Sequence, residues 1–290
     1  MPTYKFKQVD VFTCRPLYGN PVAAVLDADG IDSEQMQRIA AWTNLSETTF
    51  VLKPTTPEAD YRLRIFTPTN ELPFAGHPTI GSAHAALEAG VISGPQFRQE
   101  CGAGELPMSV IDSESGPRIA VEAPVAAFAK EYGDIADAIS ASLGAPIAAG
   151  PSPAAMNNGP VWLFVRLDSG DTLAGLNPDL SSIAKLSLEH GLTGLATFAL
   201  LHGDGPRVHI RCFAPAIGVP EDPVTGSANA ALPAYLAHAG MLDKLGDEYV
   251  STQGTELGRD GSVFVRVLDD QGRAEIGGHA VTVIEGEITL

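Results

Sequence analysis

Residues 64–87 read RIFTPTNELPFAGHPTIGSAHAAL, and residues 211–236 read RCFAPAIGVPEDPVTGSANAALPAYL. Both pass from an Arg-x-Phe-x-Pro strand through a turn to a glycine that opens an alanine-rich helix. Phe66 and Phe213 are 147 residues apart, and Gly76 and Gly226 are 150 apart. Outward from this core the echo continues in order. NLSETTFVL at 44–52 answers LTGLATFAL at 192–200, Gly102-Ala-Gly-Glu-Leu answers Gly254-Thr-Glu-Leu, and Ile111-Asp112 answers Leu268-Asp269. The offsets climb from about 148 to 157, as small insertions in the second half would produce. We read the chain as an internal duplication: an α+β protein of two similar domains, residues 1–125 and 126–290, related by a pseudo-twofold. A site in the cleft between the halves is expected, because ligand sites favour such interfaces.

The secondary-structure signals agree. Asp32 and Gln35 form a capping pattern ahead of a helix at 32–43, with Met36, Ile39 and Ala40 on one face. Pro78 predicts a helix starting there and running to 89, since proline suits a first helical position, and Gly90 suits the residue past its end. Ser227 reads as the N-cap of a helix at 228–239, within which Pro233 should kink the helix or delay its start. A short helix is expected at 134–143. Strands are expected at 4–11, 21–26, 47–52, 61–66, 161–167, 195–201, 207–213, 262–268 and 280–289.

With 290 residues, 44% of them hydrophobic, the chain can bury a large core. Eighteen basic residues against 35 acids leave a net charge of −17, which repels phosphate backbones and anionic lipid. Neither nucleic acid nor a membrane is an expected partner, and no run reaches the roughly 18–20 apolar residues of a membrane span. The amino-terminal MPTYKFKQVDVF alternates like a strand, so a cytoplasmic protein is expected. Cys14, Cys101 and Cys212 show no CxxC spacing, and the seven histidines show no ligand spacing. No metal is expected, and no cofactor, since GxGxxG, GxxxxGK[ST] and GxSxG are all missing.

Two features suggest chemistry. Gly76-His77 and Gly226-Ser227 stand at corresponding helix starts, where unpaired N–H groups and the helix dipole favour an anion. Neither AGHPTIGSA nor DPVTGSANA contains a basic residue, so the two starts are expected to hold one small carboxylate between them. The second feature is an asymmetry: Glu47 falls where the other half has Leu195. A carboxylate beside apolar residues such as Phe50 suits a proton carrier. Glu221-Asp222 is an acidic insert of the second half, and Cys212 reads as a core residue.

NLSETTF, RIFTPTNELPFAGHPTIG, GNP at 19–21 and EDPVTGSAN at 221–229 together resemble the PhzF-like, phenazine-biosynthesis-type isomerases over nearly the whole chain. The resemblance implies two diaminopimelate-epimerase-like domains and a cofactor-free enzyme, here expected to form a homodimer. It implies that Glu47 moves a proton between carbons of a small carboxylate-bearing substrate, with His77, Asp222 and Ser227 assisting. Substrate contacts would come from Ser46, Gly76, His77, Gly226 and Ser227. Related epimerases carry a cysteine at each helix start. His77 and the Thr225-Gly226-Ser227 turn replace them here, so a two-thiol mechanism is not expected. A racemase, an epimerase, a lyase or a non-catalytic small-acid-binding protein of the same fold are the alternatives. The last has no use for a carboxylate that would repel its ligand.

Overall fold

The computed structural model describes residues Met1–Leu290. The chain divides into two compact units, the first 1–122 with 277–290, the second 123–276. Glu47 and the GHPT turn fall in the first and the EDPVTGS turn in the second. The C-terminal boundary differs from the sequence reading, which gave residues up to 290 to the second domain. The C-terminal strand, Ala280–Thr289, pairs antiparallel with β1 (Thr3–Val11) along its length, and so belongs to the first unit.

In the first unit β2 (Asn20–Val25) runs antiparallel to β1, and after α1 (Ser33–Thr43) β3 (Thr48–Leu52) joins β2 in parallel. β4 (Tyr61–Phe66) is antiparallel to β3 and takes on the short β5 (Glu71–Leu72). After α2 (Gly76–Glu88), β6 (Gln96–Cys101) lies parallel to β4, and β7 (Gly104–Ile111) and β8 (Arg118–Glu122) follow antiparallel. The Asp32/Gln35 capping box forms as expected and starts α1, which ends at left-handed Asn44. Met36, Ile39 and Ala40 pack on Val25, Phe50 and Phe66 of the sheet.

The second unit contains β9 (Ala127–Glu131), α3 (Ala136–Leu143), β10 (Ala154–Asn157), β11 (Val161–Arg166), α4 (Gly170–Ala174), α5 (Leu180–His190), β12 (Gly194–Leu200), β13 (Val208–Ala214), β14 (Val219–Asp222), α6 (Gly226–His238), β15 (Glu248–Gln253) and β16 (Gly261–Val267). Its pairings from β10 onward repeat the order of the first unit. β10–β11 is antiparallel, β11–β12 parallel, β12–β13 and β13–β14 antiparallel, then β13–β15 parallel and β15–β16 antiparallel. β12 is covered on both faces, which explains why its run is apolar apart from the buried Thr197. One face meets α5 through Leu195 and Ile183, and on the other Phe198 and Phe164 pack around Tyr235 of α6. These ring contacts, centroids 5.4–6.4 Å apart, are each worth roughly 0.5–1.5 kcal/mol beyond area burial.

α2 and α6 hold the same place in their units and are buried nearly all round, which is why both are alanine-rich and lack a strong polar face. Both begin two residues before the sequence reading, at Gly76 and Gly226. The first i→i−4 bonds, Thr79 N–H to Ala75 C=O (3.1 Å) and Asn229 N–H to Thr225 C=O (3.1 Å), show why. Pro78 therefore sits inside the first turn, and Ser227 is in the first turn instead of capping it. Pro233 does not delay α6, whose range includes it. No helix is long and apolar enough to cross a membrane.

Candidate active site

In the first unit Glu47 lies one residue ahead of β3, with its backbone carbonyl facing the Ala23 N–H of β2 at 3.5 Å. His77 is the second residue of α2 and is buried. Glu47 Oε2 lies 3.2 Å from His77 Nε2, an approach without hydrogen-bond alignment. Loose alignment of this kind is common before substrate arrives. Burial pulls the His77 pKa down to about 3, against an opposing hydrogen bond to the Pro21 backbone. The imidazole is therefore neutral near pH 7, with one N–H and one lone pair. Asn20 Nδ2 is 3.4 Å from His77 Nδ1.

No side chain caps α2. The N–H groups of Gly76 and His77 precede the first i→i−4 bond of the helix, and Pro78 has no N–H at all. The helix start is thus an anion-favouring end, with the Glu47 carboxylate 3.2 Å from its second residue. Ser46, the other sequence-predicted contact of this unit, directly precedes Glu47 and is half-buried.

In the second unit the EDPVTGS turn is tied down residue by residue. Glu221 makes a two-pronged ion pair with Arg211 (2.9 Å each), so it is structural. Asp222 accepts from Thr225 Oγ1 (2.6 Å), and its carbonyl accepts from Gln253 Nε2 (2.9 Å). Gln253 Oε1 in turn accepts the Thr225 N–H (2.9 Å), which fixes the entry to α6. No side chain caps α6, so the Gly226 and Ser227 N–H groups stand like those of Gly76 and His77. Ser227 Oγ accepts from the indole N–H of Trp162 (2.9 Å), and the Ser227 carbonyl accepts from Asn158 Nδ2 (2.9 Å).

The first unit thus brings Glu47 and His77 together, and the second gathers Asp222 and Ser227 within one turn. Leu195, opposite number of Glu47 in the repeat, is wholly buried in the core under α5. Cys212 is also buried, and burial pushes its thiol pKa up, far from a reactive thiolate. No group of three or more His, Cys, Asp and Glu side chains is arranged to hold a metal ion. Sequence reasoning missed Asn20, Trp162 and Asn158. Asn20 stood in the quoted GNP motif, while Trp162 looked like one more apolar strand residue.

The architecture defines the class: it is the fold of the PhzF proteins, matching the crystal structure of the Bacillus anthracis phenazine biosynthesis protein of the PhzF family with a TM-score of 0.86, 30% identity and 100% of both chains covered. The model of the phenazine biosynthesis-like family, PhzC-PhzF, matches residues 9–286, and the chain belongs to this family. A trans-2,3-dihydro-3-hydroxyanthranilate isomerase of Pseudomonas chlororaphis is 38% identical, covering 97% of this chain and 98% of its own. Antisense-enhancing sequence 1 of Schizosaccharomyces pombe is 36% identical over 99% of each chain. The chain is an isomerase of the PhzF type.

Proposed function

We propose that the enzyme is a cofactor-independent isomerase that moves a proton between two carbons of a small, cyclic or conjugated carboxylic acid, with Glu47 as the acid/base. The observation that carries this reading is the approach of Glu47 to a buried, neutral His77 at an uncapped helix start. The ionised Glu47 takes a proton from an activated carbon, and the electron pair left behind spreads into the conjugated system. The glutamic acid so formed returns the proton to another carbon. The substrate keeps its composition and oxidation state. His77 Nε2 lies beside the carboxylate, placed to exchange a hydrogen bond with it once substrate aligns the pair.

Charge that develops on the substrate is met by the N–H groups of Gly76-His77 and Gly226-Ser227. A charge-assisted hydrogen bond of this kind is worth roughly 1.5–3 kcal/mol. Ser46, Asp222 and Ser227 serve the same substrate as further contacts. No lysine or arginine is needed, in keeping with helix starts that carry none. An anionic ligand would also raise the Glu47 pKa, which helps a group that must both take and release a proton. We take the enzyme to work in the cytoplasm as a homodimer.

The Pseudomonas relatives point to trans-2,3-dihydro-3-hydroxyanthranilate as the first compound to try. The experiment incubates it, with a panel of small cyclic amino and hydroxy acids, in heavy water. The reading expects isomerisation with deuterium entering at carbon for at least one acid. A folded enzyme that neither isomerises nor labels any of them contradicts it.

A further inference from the structure

The parallel strand pairs give the two units a common ruler. Ala23 of β2 lies opposite Thr48 of β3, and Phe164 of β11 lies opposite Ala196 of β12. Thr48 and Ala196 are partners in the sequence repeat, so Ala23 matches Phe164, and two residues earlier Pro21 matches Trp162. In each unit this strand start reaches the second residue of the buried helix. The Asn20 side chain meets the ring of His77 in the first, and the Trp162 indole meets the hydroxyl of Ser227 in the second.

The second contact is chemically one-sided. An indole N–H only donates, and a serine hydroxyl has one proton and two lone pairs. At 2.9 Å, with both residues buried, the bond fills one lone pair of Ser227 and turns the hydroxyl proton away from the indole. Asn158, also buried, holds the backbone of the same residue through its carbonyl. Ser227 is thus gripped at two atoms by the 158–162 segment, while its N–H stays in the uncapped first turn.

We propose that Trp162 is a positioning residue that fixes the Ser227 hydroxyl as a hydrogen-bond donor to the bound acid and keeps it from serving as a base. The part that Ser227 plays toward substrate rests on the function proposed above, whereas the grip of Trp162 on Ser227 does not.

Two measurements separate the parts. The chain has two tryptophans, and Trp42 is largely exposed, so two well-separated indole N–H signals are expected in a nitrogen-15 spectrum. Ser227→Ala should move the Trp162 signal and speed its exchange with solvent while leaving that of Trp42 in place. In the heavy-water assay, Trp162→Phe should lower kcat about tenfold with KM nearly unchanged. Its Tm should stay within about 4 °C of wild type, since the ring is kept. Trp162→Phe should cost nothing more when added to Ser227→Ala. A Trp162 signal indifferent to Ser227→Ala, a fully active Trp162→Phe enzyme, or losses that multiply in the double variant would overturn the proposal. If wild type processes none of the acids, the isomerase reading fails while the indole signals still decide whether Trp162 holds Ser227.

Discussion

His77 shows how burial and chemistry meet in one residue. Its ring is removed from water, which disfavours the imidazolium and leaves a neutral partner for Glu47. The same burial predicts a pH dependence of stability. With a folded pKa near 3 and an unfolded value near 6.5, the unfolded chain binds the proton more readily. This contribution is therefore complete above about pH 6.5 and is lost as pH falls through the interval toward 3. The loss is up to about 1.4 kcal/mol per pH unit. Urea unfolding of wild type and His77→Gln at pH 7, 5.5 and 4.5 should show a wild-type advantage that shrinks with acid. A constant difference would mean that His77 is not held neutral. At this scale Glu47 stood out as a candidate because an acid stands where Leu195 falls in the other half of the sequence. Asn20 and Trp162 did not, since their partners lie 57 and 65 residues away. Nothing in a local window says that a tryptophan in an apolar strand donates a hydrogen bond to a helix start.

At the scale of elements, α2 and α6 are set by burial more than by local signals. The proline and serine rules both set the helix starts two residues late, because these helices begin without side-chain caps and keep first-turn N–H groups open. The strands missed by the sequence reading have a similar cause. β6 alternates correctly, but one inward position is Gln99, which is buried by accepting from Tyr61 Oη (2.7 Å) and donating to Thr79 Oγ1 (3.2 Å), so the apolar pattern is thin. Gly81 tests how closely α2 is packed. In an exposed helix, Gly→Ala gains about 1 kcal/mol. Here a Cβ would stand 2.4 Å from Val22 Cγ1 and 2.7 Å from Val11 Cγ2. Gly81→Ala should instead destabilise the protein by about 1–3 kcal/mol, read from urea midpoints at constant slope. A more stable variant would mean that α2 is loosely held against β1 and β2.

At the scale of the molecule, each unit has the same order of strand pairings around one buried helix. The return of the C-terminal strand to β1 was not legible, because linear order assigns it to the second half while the β1 edge claims it. The central claim is that the first unit carries an acid/base where the second carries a core leucine. The most direct measurement is deuterium incorporation by Glu47→Gln into whichever acid the wild type labels, with folding and ligand affinity checked on the same sample. Removal of the acid/base, with the amide keeping size and polarity, should lower the rate by at least about 10²-fold. Unfolding and ligand binding should stay close to wild type. A folded Glu47→Gln enzyme that binds the acid and labels it at the wild-type rate would contradict the account.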